Sequence, residues 1–357
     1  MIRIALKTKL GLELFRVYRA TQTRMHVLNY LFWECTLRCN LNCIHCGSDC
    51  SKDSHTPDMP IRDFLGVLDK VSQEYNPNKV MIAITGGEPL VRRDLEDCGR
   101  HIYNRGFPWG IVSNGYLLNA GRLLALCKSG LRSITISLDG LQESHNWMRG
   151  KKDSFQNAAQ AIKICAHNNG LVFDVVTCVN RRNISELKDI KALLLESGIK
   201  KWRLFTIFPK GRAKGIAELE LSGNDFRNLL NFISDCRNKK EIEASYGCEG
   251  FLGNYEGKVR DGFFFCRAGI NVASVLADGG ISACPSLRGD FIQGNIYKDD
   301  FIDCWNRRYR DMRNRSWAKS SQCLSCNLFK YCSGNGLHLR NGKERNLLTC
   351  HYEKLSN

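Results

Sequence analysis

The chain has 357 residues, 43% of them hydrophobic, enough for one large or two medium domains with real cores. Its 18 cysteines come with no N-terminal signal region and no apolar stretch long enough to span a bilayer. This argues against a secreted disulfide framework or a membrane-spanning helix, and for a reduced, cytoplasmic setting with many thiols kept for metal. Lysine and arginine outnumber acids 52 to 36, a formal charge of +16. That surplus suits an anionic partner (nucleic acid, acidic peptide or membrane surface) as well as a plain basic surface.

Residues 1–27 carry Arg3, Lys7, Lys9, Arg16, Arg19 and Arg24 against one acid, Glu13, with Ile4, Leu10, Leu14 and Tyr18 close to helical spacing. A basic amphipathic helix is expected there, docked on the body of the protein or lying on an anionic membrane. From 28 to 210, short apolar runs alternate with longer amphipathic segments, as βα units around a parallel sheet do. Strands are expected at Tyr30–Trp33, Val80–Ile84, Gly110–Val112, Ile134–Ser137, Val172–Cys178 and Trp202–Ile207. Helices are expected at Ile61–Tyr75, Arg92–Asn104, Asn119–Lys128, Phe155–Asn168 and Ile184–Ser197. This falls short of a closed eight-stranded barrel. Residues 211–245 read as a polar linker and a helix, Asp225–Arg237, before a cysteine-rich second domain over 246–357.

After the first strand, Cys39-Asn-Leu-Asn-Cys43-Ile-His-Cys46 delivers three thiols spaced four and three residues apart. A [4Fe–4S] cube has four irons, so three thiolates leave one iron open to a small molecule. The competing reading is a zinc knuckle, which needs a fourth ligand and usually repeats C-x2-C. Polar turns follow the later strands, at the rim where barrel enzymes build their sites. They are Thr85-Gly86-Gly87-Glu88-Pro89, Ser113-Asn114-Gly115, Ser137-Leu138-Asp139-Gly140 with His145 and Arg149 beyond it, and Val179-Asn180. Paired glycines permit close backbone approach to a ligand, and carbonyls with Glu88 can accept from an ammonium.

Together these motifs resemble the radical S-adenosylmethionine (radical SAM) superfamily. The resemblance implies an α/β fold, a partial (βα)6 TIM-like barrel, whose cluster on Cys39, Cys43 and Cys46 binds S-adenosylmethionine at its open iron. It places His45 against the adenine and gives the methionine amino group to Gly86, Gly87, Glu88 and Pro89. Ser113 and Asn114 match the family's (T/S)NG turn, and Ser137 and Asp139 fall near the cofactor. Arg149 is expected to pair with the methionine carboxylate, and Asn180 to stand near the ribose or adenine.

Further on, Cys266-x12-Gly279-x4-Cys284, then Cys323-x2-Cys326-x5-Cys332, then Cys350 resemble the SPASM extension, which holds auxiliary Fe–S clusters. By that likeness Cys323, Cys326, Cys332 and Cys350 ligate the distal cluster; a structural zinc ribbon is the alternative. Cys266 and Cys284, with Cys248, serve the other. Its fourth expected ligand falls on Gly336, so either His338 or Cys304 substitutes, or the cluster keeps an open iron, or it is smaller or absent. Cys35, Cys50, Cys98, Cys127, Cys165, Cys178, Cys236 and Cys304 read as ordinary buried thiols.

The resemblance implies reductive cleavage of S-adenosylmethionine to a 5′-deoxyadenosyl radical, hydrogen abstraction from a peptide or protein, and an electron donor such as flavodoxin or ferredoxin. Sulfatase-maturating relatives carry an aspartate after the cysteine matching Cys284, where this chain has Pro285, so their usual base is missing. Phe263–Gly269 and Cys332–Leu339 are similar to a subgroup associated with lipoprotein gene systems. An RNA- or small-molecule-modifying radical enzyme and a non-catalytic Fe–S or zinc scaffold are the alternatives; no recognisable RNA-binding motif is appended.

Overall fold

Runs such as Tyr30-Leu-Phe-Trp and Ile134-Thr-Ile can be covered on both faces, and this is what a parallel sheet requires of its central strands. In the computed structural model, which describes residues 4–247, 249–341 and 345–356, they do so. After helix α1 (Leu6–Met25) come β1 (Tyr30–Thr36), α2 (Ile61–Glu74), β2 (Met81–Gly86), α3 (Leu95–Asn104), β3 (Trp109–Ser113), α4 (Ala120–Lys128) and β4 (Leu131–Ser137). Then follow α5 (Gln142–Arg149), α6 (Ser154–Ala166), β5 (Val172–Val179), α7 (Leu187–Glu196), β6 (Lys201–Thr206) and α8 (Gly223–Lys239).

Strands β1 to β6 lie parallel in sequence order, with Trp33, Ile84, Ile111, Ile134 and Phe173 in one row across the first five. The (βα)6 expectation therefore holds. The sheet also continues past both edges of the six. β7 (Glu243–Tyr246) adds parallel to β6, and β8 (Val272–Val275) adds parallel to β1, followed by antiparallel β9 (Gly280–Ser282) and β10 (Gly294–Asn295). The C-terminal segment is thus welded to the barrel by backbone hydrogen bonds.

Helices cover the sheet through apolar stripes at helical spacing. α2 buries Phe64, Leu65, Val67, Leu68 and Val71, and Phe64 stacks on Trp33 with ring centroids 4.7 Å apart. Such a pair stabilises by about 1 kcal/mol beyond its buried area. Caps set several ends: the Asn119 side chain accepts from the Arg122 N–H at 2.9 Å to start α4, and Ser222 with Asp225 forms a capping box at α8. α5 stops at Gly150, whose φ of 68° suits glycine.

The N-terminal helix docks on the body, one of the two expected outcomes. Phe15 packs on Phe263 at 5.5 Å, the Arg19 guanidinium donates to the carbonyls of Lys330 and Tyr331, and Glu13 accepts from the Tyr331 hydroxyl at 2.7 Å.

Candidate functional site

Cys39, Cys43 and Cys46 lie together in the loop after β1, and each sulfur meets at least one N–H, with Ser48 giving Cys46 a second. The Leu41 backbone serves Cys39, the Arg149 guanidinium serves Cys43 at 3.7 Å, and the Cys50 backbone serves Cys46 at 3.4 Å. Cys39 and Cys43 are buried with Cys50 and Leu41, and Cys46 packs against them. Burial pushes the Cys39 thiol up to about 12, while the Cys50 thiol, donating to Cys46, brings Cys46 down to about 5. Cys50 is therefore part of this site, not an ordinary core thiol.

The three thiols are free, and hydrogen bonds aimed at sulfur are what a thiolate-held cluster uses to set its potential. Among the described residues no three His, Cys, Asp or Glu side chains could hold one metal ion. Three free thiols in one loop, each with donors aimed at its sulfur, are the donor set such a cluster takes. The residues fit a cluster.

The loop is clamped from several sides. Strand β1 runs into it beside β2, and the turn after β2 packs on its backbone. Gly87 N–H donates to Thr36 O at 2.8 Å and Glu88 N–H to Arg38 O at 3.0 Å. A Cβ on Gly86 would stand 2.1 Å from Thr36 O, and one on Gly87 2.2 Å from Arg38 O. The glycines thus let the cluster loop itself approach. On the opposite side Ile44 N–H donates to Met148 O at 3.0 Å. Arg212 donates from Nε to Cys43 O at 2.8 Å and from Nη1 to Cys50 O at 2.9 Å.

The Glu88 carboxylate faces into the chain. Oε1 accepts from Leu90 N–H at 3.0 Å and from the Ser113 hydroxyl at 2.8 Å, and Oε2 accepts from Asn114 N–H at 2.7 Å. It thereby fixes the Ser113–Asn114 turn, and Asn114 Nδ2 reaches Asn40 of the cluster loop at 2.9 Å. Burial raises the Glu88 carboxyl, against those donors. Pro89 begins the next turn and is buried.

Asp139 is fully buried. Its Oδ1 accepts from Cys178 N–H at 2.8 Å and its Oδ2 pairs with Arg149, while His45 Nε2 lies 3.8 Å away. Arg149 thus joins a carboxylate to the Cys43 sulfur, and its Nε has no hydrogen-bond partner among the described residues. Burial drives the His45 imidazole down to about 4, against the pull of Asp139. Asp139 N–H donates to His145 Nδ1 at 3.0 Å, so the proton of that ring sits on Nε2, facing Ser154 Oγ at 3.0 Å. Ser137 ends β4, half-buried. Asn180 is buried, with Nδ2 3.3 Å from Met148 Sδ and Oδ1 accepting from Arg182 N–H at 2.8 Å.

Three positioning residues carry no spacing signal in the sequence. Arg212 is one. Asn183 donates to the carbonyls of Asp139 and Cys178 at 2.8 and 2.9 Å. Arg288 pairs with Glu34, the buried acid before the cluster loop, whose other oxygen takes Ala277 N–H at 3.0 Å. That pair ties the loop to the C-terminal segment. A polar run after a predicted strand gave the only hint of Asn183.

In the C-terminal segment Cys332 lies near Cys350 and Cys323, and Cys323 near Cys326, so the quartet shares one place. The buried Arg340 guanidinium reaches Cys323 Sγ at 3.8 Å, and Gly334 N–H reaches Cys332 Sγ at 3.3 Å. The residues again fit a thiolate-held group. Cys266 is buried, which opposes its ionisation, yet Arg315 and the N–H groups of Leu337 and Ala268 bring its thiol below the ordinary value. Gly336 therefore passes beside Cys266, where the absent cysteine is expected. The His338 ring lies where a side chain on Gly336 would project, 2.6 Å from the position of its Cβ, and tilts against Phe208 with ring centroids 5.1 Å apart, whereas Cys304 is buried near Gly294, Asp299 and Arg308. Cys284 is half-buried, and Cys248 lies outside the described residues.

Residues 33–194 match the Radical SAM superfamily profile, and residues 266–327 match the SPASM iron–sulfur cluster-binding domain. The chain is 25% identical over 320 residues to the AdoMet-dependent heme synthase of Nitratidesulfovibrio vulgaris, covering 85% of each chain. It is 26% identical over 318 residues to the mycofactocin maturase MftC of Mycolicibacterium smegmatis, covering 85% of this chain and 76% of that one. The fold is similar to that of anSMEcpe with bound AdoMet and Cp18Cys peptide, with a TM-score of 0.69 at 20% identity over 92% of this chain and 94% of that one. The cofactors that follow are S-adenosylmethionine, a [4Fe–4S] cluster and auxiliary Fe–S clusters. The chain is thus an enzyme that carries a radical SAM domain followed by a C-terminal SPASM domain.

Proposed function

We propose that this enzyme oxidatively modifies a peptide or protein, with Cys39, Cys43 and Cys46 holding the cluster that serves S-adenosylmethionine. The observation that carries the reading is the three-thiol loop whose sulfurs each receive at least one N–H, set on the C-terminal rim between Glu88 and Asp139–Arg149. A cluster held by these thiols would supply the electron that cleaves S-adenosylmethionine reductively, and so the hydrogen-abstracting power the reaction needs.

The chain's own residues orient and seal. Glu88 fixes the Ser113–Asn114 turn, Gly86 and Gly87 admit the loop backbone, and Arg212 and Met148 clamp its far side. Buried, uncharged His45 offers an apolar face for the adenine. Arg149, held by Asp139, supplies positive charge where a methionine carboxylate would lie. Cys323, Cys326, Cys332 and Cys350 would hold one auxiliary cluster, and Cys266 and Cys284 with Cys248 another, to accept the electron left on the substrate. A flavodoxin or ferredoxin would supply the first.

The peptide reading is supported by the likeness to a peptide-bound enzyme fold and to a maturase. The heme synthase similarity favours a tetrapyrrole as the second reading. Anaerobic turnover with S-adenosylmethionine, reductant and either the co-purifying peptide or iron-coproporphyrin separates them. The first reading expects the peptide to lose a pair of hydrogen atoms in step with 5′-deoxyadenosine release. Porphyrin oxidation with an unchanged peptide would overturn it.

A further inference from the structure

Helix α1 has two apolar faces, and only one is used by the fold. Leu12 and Phe15 turn inward, and Glu13 and Arg19 are spent on Lys330 and Tyr331. On the outward side Leu6, Leu10, Leu14 and Val17 repeat at helical spacing and are 73%, 60%, 75% and 66% exposed. At 100° per residue these four fall within about 80° of arc. Lys7 borders the row on one side and Lys9 and Arg16 on the other, all exposed. The one acid of this segment, Glu13, is shared by Lys330 and Arg16, so the outward face presents aliphatic side chains bordered by the cations Lys7 and Lys9, with Arg16 partly neutralised.

We infer that this face lies on an anionic lipid surface, with the leucine row in the acyl boundary and the flanking cations at the headgroups. The shape and charge favour lipid over a protein partner. A stable protein interface takes about 20 to 30 residues a side, whereas this row is one side chain wide on a single helix, the arrangement of an interfacial helix. Lys7 and Lys9 match negative headgroups, and the +16 of the whole chain adds long-range attraction. Docked through Phe15, Glu13 and Arg19, the helix is held in place before any lipid is met, so contact needs no folding step. The inference is independent of the substrate assignment.

The test is co-sedimentation of the full-length holoenzyme with vesicles of phosphatidylcholine alone and of phosphatidylcholine mixed with phosphatidylglycerol. Binding is expected only to the mixed vesicles, weakened by salt. Leu10→Glu with Leu14→Glu should reduce it at least about tenfold, and Lys7→Ala or Lys9→Ala about fivefold each at low salt. These positions are exposed, so circular dichroism and iron content should match wild type; the lysine variants test the idea even if the leucine pair disturbs the helix. Equal binding to both vesicle types, or none to either, would overturn the inference. So would a concentration-dependent dimer that the leucine substitutions abolish, because the face would then belong to a second copy.

Discussion

The Arg149 guanidinium donates to the Cys43 sulfur at 3.7 Å while paired with the buried Asp139 carboxylate. One side chain thus links the fold's buried charge to the cluster loop. Arg149→Met should leave Asp139 unpaired, costing about 3–5 kcal/mol in denaturant unfolding. Losing an N–H to sulfur should also move the first cluster's reduction potential to a more negative value in an EPR-monitored titration. Adding Asp139→Asn should recover part of the stability and leave the potential low.

Glu88 acts through the turn it holds. Glu88→Gln replaces one acceptor oxygen with an amide that faces donors from Leu90, Ser113 and Asn114. At least one donor is left unpaired, for roughly 1–3 kcal/mol. Release of the Ser113–Asn114 turn should weaken S-adenosylmethionine binding about tenfold, measured by equilibrium dialysis. Unchanged affinity would remove Glu88 from the site.

Gly87→Ala would set a methyl group 2.2 Å from Arg38 O, so the cluster loop must move. The variant should lose iron from the first site and keep the auxiliary iron, as read by iron counting and Mössbauer spectra. Gly66→Ala is the control: nothing lies within 4 Å in α2, and the helix should gain roughly 0.5–1 kcal/mol.

Burial, aided by Arg149, holds the His145 imidazole at about 3, below its ordinary 6.5. The folded state keeps this ring neutral while the unfolded chain takes up a proton. Its contribution is therefore fully present above about 6.5 and is lost as pH falls toward 3, at up to about 1.4 kcal/mol per pH unit. Denaturant unfolding at pH values between those limits should show a shallower slope for His145→Asn than for wild type.

Most of the barrel was legible because its signals are local. Alternating apolar runs marked the six strands, and cysteine spacing marked both thiol sets. Helix α5 was missed because Gln142–Arg149 is polar apart from Trp147 and Met148 and is held by what it touches. β7 and β8 were missed because four-residue strands owe their existence to the β6 and β1 edges they extend. Arg212 and Arg288 act across 169 and 254 positions of sequence, a separation no motif spans. Cys50 reads as a core thiol by composition, and its partnership with Cys46 appears only once the loop has folded back.

The most direct measurement compares wild type with the Cys39→Ala, Cys43→Ala, Cys46→Ala triple variant after anaerobic reconstitution, counting iron and sulfide and quantifying 5′-deoxyadenosine on reduction. The account predicts about four fewer irons per chain in the variant and 5′-deoxyadenosine from wild type alone. Equal iron in the two proteins, or 5′-deoxyadenosine from both, would contradict it.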